Sequence, residues 1–278
     1  MKPSSLGKFA FLLSTLALGA SSYGAAIAID NASDSAYNSG WADLSNGGAG
    51  FAAWSLLSGS NSGTFLGTSG SNGNLDGNID TTIPPVSGSP TTARSWGTYA
   101  NSGDNFNAFR PFTLGGTNSS NILGVSQQFS ISMDNGYVDG TVGFGLQNSS
   151  ATNRIELYFV GGGSDYTLNI SGTTLDTGIA FTIKGLSAVF TQGASNSWTL
   201  GITPNGGSTT VFSNASTGVS LAQSDISQVH LFNANGGSLS THDSFFNSIQ
   251  VATVPEPSTL LLIGATLGGW FAVRRKRA

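Results

Sequence analysis

Short segments in which apolar and polar residues alternate strictly recur along the middle of the chain. They include Gln128–Met133, Thr141–Leu146, Arg154–Phe159, Asp165–Ile170 and Ser197–Ile202. A period of two predicts β-strands with one buried and one solvent-facing side. Turn sequences such as Asp134-Asn135-Gly136 separate these segments, and no long segment between the two ends has the 3.6-residue period of a helix. Strands at this regular spacing predict an antiparallel sandwich or barrel.

The first part, residues 27–125, carries a weaker pattern. The glycine-, serine- and proline-rich stretches Ser58–Gly73 and Ile83–Thr92 resemble long loops. Strands are expected at Ala25–Asp30, Phe51–Leu57, Thr64–Gly67, Ser95–Ala100 and Ala108–Leu114. No clean linker divides the chain, so we expect one all-β, jelly-roll-like sandwich of about a dozen strands, closed by pairing early strands with late ones. The last strand, Phe245–Val251, is expected to end close to the C-terminal segment.

Charge and cysteine content narrow the possible partners. Only 9% of the residues are charged and there is no cysteine, which excludes disulfides, thiolate metal sites and a cysteine nucleophile. Residues 27–254 hold four basic against thirteen acidic side chains, a net charge of −9. Nucleic acid is therefore not expected as a partner.

The N-terminus has the order of a secretory signal peptide. Lys2 and Lys8 precede the apolar run Phe9–Ala20, and small residues follow up to Ala26. This order predicts a signal-peptide helix within residues 1–26. The alternative is a buried N-terminal helix of the mature fold.

The C-terminus has three parts. Pro255, Glu256 and Pro257 precede the uncharged stretch Thr259–Val273, and four basic residues follow (Arg274, Arg275, Lys276, Arg277). The apolar stretch predicts a single short transmembrane helix, and the basic residues predict a cytoplasmic end. We therefore expect three regions: a signal peptide (1–26), an exported β-sandwich (27–253) and a C-terminal signal (254–278).

This three-part end resembles the PEP-CTERM sorting signal of Gram-negative bacteria. The resemblance implies that an exosortase, a membrane-embedded cysteine transpeptidase, cuts near Pro255-Glu256-Pro257 of an inner-membrane-anchored precursor. It also implies a destination at the cell surface or outside the cell, and an association with exopolysaccharide and biofilm. The alternative is a plain single-span anchor.

The body is similar to concanavalin-like jelly rolls on bacterial surface proteins. The similarity lies in Val142–Asn148, Leu157–Gly162 and Leu231–Gly237. It implies a jelly-roll-like fold, whereas function in that group is mostly unassigned.

Titratable residues are too few to predict an enzyme. Residues 27–254 contain two histidines, His230 and His242, and one glutamate, Glu156. We expect His230 to be an outward or hydrogen-bonded strand residue, and His242 with Asp243 to lie in a loop. Glycosidases use two carboxyl groups across a cleft, and Glu156 has no second acid on its strand.

One loop has the spacing of a calcium site. Asn72, Asn74, Asp76, Asn78 and Asp80 place oxygen ligands at alternate positions, with a glycine at the sixth position. The run resembles the start of an EF-hand loop. Its twelfth position is Ile83, where a glutamate is expected. An ordinary Asn/Gly-rich loop is the alternative to a calcium site, and no other cofactor is predicted.

Aromatic residues concentrate in the looser part of the chain. They are Trp41, Trp54, Trp96, Tyr99, Phe109 and Phe112. Core packing is the main expectation, and stacking on sugars is the alternative. Arg110 is expected in a structural ion pair. The predicted function is structural or adhesive, in contact with polysaccharide; a carbohydrate-binding or carbohydrate-active protein is the alternative.

Overall fold

The computed structural model describes residues 24–71, 79–82, 93–115 and 121–254. These residues form mainly β-structure. The strands are β1 (Ala26–Asp30), β2 (Ser55–Ser58), β3 (Ser62–Gly67), β4 (Thr81–Thr82), β5 (Ala93–Ala100), β6 (Asn105–Pro111), β7 (Gln127–Asn135), β8 (Thr141–Gln147), β9 (Asn153–Val160), β10 (Asp165–Ile170), β11 (Thr173–Ala180), β12 (Leu186–Gln192), β13 (Trp198–Pro204), β14 (Thr210–Ser213), β15 (Gln228–Ala234) and β16 (Ser244–Thr253). The described helices are short: 3₁₀ turns at Ser35–Tyr37, Ser69–Ser71 and Ser240–His242, and one α-helical turn at Asn214–Thr217.

The strands form two antiparallel sheets. The nine-stranded sheet has the order β14-β13-β12-β7-β16-β5-β3, with β1 paired to β16 and β4 to β5. The seven-stranded sheet has the order β11-β10-β9-β8-β15-β6-β2. Early strands pair with late ones, as β1 does with β16 and β6 with β15. The predicted all-β, jelly-roll-like antiparallel sandwich is confirmed.

The alternating residues of both sheets meet in one core. Phe129, Ile131 and Met133 of β7 are buried, as are Phe144 and Leu146 of β8. Their neighbours on each strand face the other way, so the two sheets bury apolar side chains between them and leave an outer face on each side.

A buried ion pair links the sheets. Arg110 of β6 donates from Nη2 to Oδ2 of Asp30 on β1 at 2.8 Å, and both side chains are fully buried. Tyr37 Oη donates to the same carboxylate oxygen at 2.5 Å. The expected structural ion pair of Arg110 is confirmed.

The looser first part differs from its prediction. The stretch 58–73, expected as a long loop around Thr64–Gly67, contains β3 from Ser62 to Gly67, paired along its length with β5. Sixteen strands are described in place of about a dozen, because short edge strands such as β14 have too few residues to show a period.

Candidate functional site

The outer face of the seven-stranded sheet carries aromatic side chains. On β15, Val229, Leu231 and Asn233 point into the core, so the alternating residues His230 and Phe232 point outward. On β6, Phe106 and Ala108 are buried, and Phe109 points outward beside His230. Phe109 and Phe232 are half-buried on this face, and His230 is 9% exposed.

Two glycines of β8 form a floor beside these rings. Gly143 lies between Phe232 of β15 and Tyr158 of β9, and Gly145 lies between His230 and Glu156. Because strands are spaced by about 4.8 Å, the side chains of β15 and β9 flank this floor about 10 Å apart. We call the floor with these four flanking residues the aromatic groove.

Gly143 has no room for a side chain. A Cβ added there would lie 2.3 Å from the Leu157 carbonyl oxygen and 2.6 Å from Tyr158 Cβ. Glycine is therefore needed where β8 and β9 approach each other, and its lack of a side chain keeps the floor low.

Histidine and phenylalanine form one wall of the groove. The His230 ring stacks on Phe109 with centroids 4.6 Å apart and planes 6° from parallel. The centroid of Phe232 lies 5.2 Å from that of His230. The three rings hold one another in place before any ligand arrives.

Hydrogen bonds fix the tautomer of His230, and burial keeps its ring neutral. Gln147 Nε2 lies 2.7 Å from Asn153 Oδ1 and 3.1 Å from His230 Nδ1. Because an amide nitrogen only donates, Nδ1 is the acceptor, and the Nε2–H group donates to Asn107 Oδ1 at 2.9 Å. Burial lowers the pKa of His230 to about 4, so the ring is neutral at pH 7. The expectation of a hydrogen-bonded strand histidine is confirmed.

Glu156 forms part of the opposite wall. Its side chain is half-buried, and burial raises the pKa of its carboxyl group, while a hydrogen bond from Asn153 opposes that shift. Beside it lies a cavity of about 310 Å³, lined partly by Thr152, Asn169 and Ser171. The groove therefore joins aromatic faces, a carboxyl group and a small polar cavity.

The aromatic residues singled out in the sequence divide between core and surface. Trp41, Trp54, Trp96 and Phe112 are buried, which confirms the core expectation for them. Phe109 lies on the outer face, and Tyr99 is half-buried on β5. Stacking on a sugar therefore stays a prediction for Phe109, which lies beside His230 and Phe232. The sequence did not group these two rings with Phe109.

The second histidine stands apart from the groove. His242 ends the turn Ser240–His242, and its Nδ1 lies 3.5 Å from Asp139 Oδ2. Asp243 follows that turn, as expected for a loop position.

The calcium prediction falls largely outside the described residues. Asn72, Asn74, Asp76 and Asn78 lie there, whereas Asp80 is described and its Oδ1 accepts hydrogen bonds from Ser69 N at 3.1 Å and Ser95 Oγ at 2.7 Å. In the described part of the chain, no three His, Asp or Glu side chains are grouped as metal ligands. Calcium binding stays a prediction.

Most of the predicted signals also lie outside the described residues. They include residues 1–23 of the signal peptide, the motif Pro255, Glu256 and Pro257, the transmembrane helix and the basic residues Arg274, Arg275, Lys276 and Arg277. Within residues 24–71, 79–82, 93–115 and 121–254, we find no helix of the length and hydropathy that a membrane span requires.

Comparison with known families identifies the C-terminal segment. Residues 253–277 match the PEP-CTERM protein-sorting motif, which confirms the resemblance seen in the sequence. The motif implies export and surface sorting in Gram-negative bacteria, with processing by an exosortase. The protein thus combines an all-β sandwich body with a C-terminal sorting signal. No curated protein matches the sequence.

Solved structures resemble the body at low sequence identity. A sialidase matches with a TM-score of 0.48 and 9% identity, over 83% of this chain and 19% of the sialidase. A carbohydrate esterase of the Shiga toxin-encoding bacteriophage phi24B matches with a TM-score of 0.43 and 13% identity, over 83% of this chain and 99% of the esterase. Chicken galectin 2 matches with a TM-score of 0.33 and 11% identity, over 47% of this chain and 92% of the galectin. The chain spans about a fifth of the sialidase, 19% of its length.

Proposed function

We propose that this protein is a cell-surface or extracellular-matrix component that holds polysaccharide through the aromatic groove. The sorting motif supports a destination outside the cell. The observation that carries the binding function is the stack of Phe109, His230 and Phe232 beside the glycine floor. A structural or adhesive role in a biofilm follows if the bound glycan belongs to the matrix.

The chemistry of the groove suits a sugar. Aromatic rings present flat apolar faces to the C–H side of a pyranose, and amide and carboxyl groups bond its hydroxyls. Phe232 and Tyr158 are half-buried on the outer face, so part of each ring remains accessible. The amides of Asn107 and Gln228 lie along the same face, and each carries a donor and an acceptor.

We propose that the aromatic groove binds polysaccharide without cleaving it. Glycosidases cleave with two carboxyl groups that lie about 5–10 Å apart. Of the residues that form the aromatic groove, only Glu156 carries a carboxyl group. A carbohydrate-active protein is the second candidate, and it rests on Glu156, whose burial-raised pKa suits a general acid.

We also propose that the precursor is held at the inner membrane before processing. Strand β16 ends at Thr253, and Val254 N still donates to Ser126 O at 2.7 Å. The folded body therefore extends to Val254, directly before Pro255, which supports a sandwich that lies close to the membrane until an exosortase acts.

The binding function is tested by affinity electrophoresis of the processed protein through gels containing the polysaccharide of the producing bacterium. We expect retardation, and a roughly three- to ten-fold weaker interaction for Phe232→Ala, because one stacked ring contributes about 0.5–1.5 kcal/mol. Val211→Ala is the matched control, since Val211 is 60% exposed but lies on β14 of the other sheet. Equal mobility of both variants and the unmodified protein would overturn the proposal.

A further inference from the structure

Glu156 lies between the floor made by Gly143 and Gly145 and the polar cavity. A Cβ added at Gly145 would lie 3.0 Å from Glu156 Cγ, so the glutamate side chain leans over the floor. On its other side, Glu156 lines the cavity of about 310 Å³ with Asn169, its direct partner on β10. A ligand ring in the groove would meet this carboxyl group on one edge.

The neighbouring basic side chain is already paired. Arg154 donates from Nε and Nη2 to the two carboxylate oxygens of Asp225, at 2.5 and 2.8 Å. His230 is neutral at pH 7 because burial lowers its pKa to about 4. The pKa of Glu156 is shifted by burial and by the Asn153 hydrogen bond. Arg154 lines the same cavity, but its guanidinium is bound to Asp225 and not to Glu156. Among the described residues no basic side chain forms an ion pair with Glu156, so its ionised form is half-buried and unfavourable until a cation approaches.

We propose that the aromatic groove selects glycans whose sugars carry a free ammonium group, with Glu156 as the residue that recognises it. This inference rests on the proposed polysaccharide-binding function. An ammonium group brings three donors and the opposite charge, and charge-assisted hydrogen bonds are about twice as strong as neutral ones. N-acetylated sugars lack this charge, and uronates bring a carboxylate that Glu156 repels.

The cavity supplies partners for the rest of such a sugar. Thr152, Asn169 and Ser171 line it with hydroxyl and amide groups, which bond the hydroxyls of a pyranose. Its volume, about 310 Å³, lies at the lower end of small-molecule sites, roughly 300–1,000 Å³. The cavity therefore suits one sugar unit, with the adjoining unit over the aromatic rings.

The test is isothermal titration calorimetry of the processed protein with three tetrasaccharides, built from glucosamine, from N-acetylglucosamine and from galacturonate. We expect the glucosamine oligomer to bind roughly ten-fold more tightly than the acetylated one, and the galacturonate oligomer to bind most weakly. Ethylammonium chloride at the same ammonium concentration is expected not to bind measurably, because it has no ring for the aromatic wall.

Two variants locate the effect. Glu156→Gln keeps the shape and the acceptor for Asn153 and is expected to abolish the ten-fold preference. Asp43→Asn is the matched control: it also removes one negative charge, but Asp43 bonds Leu56 N on β2, four strands away from β9. We expect it to retain the preference. Melting temperatures equal to that of the unmodified protein establish that both variants fold.

The outcomes separate this inference from the proposed function. Equal binding of the glucosamine and acetylated oligomers, an unchanged preference in Glu156→Gln, or binding of none of the three oligomers would overturn the ammonium selectivity. Each of these leaves the proposed function standing if Phe232→Ala still weakens binding to the native polysaccharide. Loss of that Phe232 dependence overturns both.

Discussion

The imidazole of His230 lies face to face with the phenyl ring of Phe109, with their centroids 4.6 Å apart. The two residues are direct cross-strand partners on β15 and β6, although 121 positions separate them in the sequence. Such pairs stabilise a sheet. Here the pair also presents a rigid, uncharged aromatic surface next to the floor made by Gly143 and Gly145.

The first prediction concerns His230 and pH. The unfolded chain protonates this histidine near pH 6.5, whereas the folded protein does so only near pH 4. At His230 the unfolded state therefore binds more protons between these values, so the contribution of His230 to the free energy of unfolding falls as pH drops from 6.5 to 4 and is flat above 6.5. The expected loss is about 3 kcal/mol, since each pKa unit contributes about 1.4 kcal/mol.

Urea unfolding of the native protein and His230→Gln at pH 4, 5, 6 and 7 measures this term. Glutamine does not titrate, and all other groups are common to both proteins. As the pH falls from 7 to 4, the native protein should therefore lose more free energy of unfolding than His230→Gln does. If the free energies of unfolding of the two proteins changed equally with pH, His230 would not be a buried, neutral residue.

The second prediction concerns the buried ion pair. Asp30→Ala leaves the Arg110 guanidinium buried without its carboxylate partner, and we expect a loss of about 3–5 kcal/mol in the free energy of unfolding. Replacing both residues, Asp30→Ala with Arg110→Met, should recover part of that loss because no buried charge remains. Denaturant unfolding followed by tryptophan fluorescence measures both. If the double variant were less stable than Asp30→Ala, the unpaired Arg110 charge would not be the cause of the loss.

The third prediction concerns the floor of the groove. Gly143→Ala would force its methyl group against the Leu157 carbonyl oxygen, and we expect a loss of about 1–3 kcal/mol together with weaker glycan binding. Gly115→Ala is the control, because its nearest outside atom would lie 3.9 Å away. Thermal unfolding compares the two. Equal melting temperatures would mean that β8 and β9 are not held so closely.

The fourth prediction concerns sorting. Replacing Pro255, Glu256 and Pro257 by alanine should prevent recognition by the exosortase, so the variant should accumulate in the inner-membrane fraction with its C-terminal residues intact. Intact-mass spectrometry of the native protein should give a C-terminus near 254–257. A mature native protein that ends at Ala278 would show that the segment is a permanent anchor.

Local sequence patterns were sufficient to predict most strands, but they were not sufficient to predict the aromatic groove. β10 was predicted with its observed bounds, Asp165–Ile170, because alternation and flanking glycines are local signals. The groove depends on register between β6, β8, β9 and β15, which are distant in sequence. His230 and Glu156 were both noted as titratable residues, yet only the pairing of each with Gly145 brings them together. Alternating Gly143 and Gly145 were the one available signal of a floor.

Binding of polysaccharide to the aromatic groove is tested by the amide chemical shifts of the ¹⁵N-labelled, processed protein, recorded with increasing polysaccharide or its oligosaccharides. We predict that the largest shifts cluster at 143–145, 156–158 and 230–232 on the outer face of the seven-stranded sheet. Shifts confined to the nine-stranded sheet, or no shifts at saturating glycan, would contradict the claim.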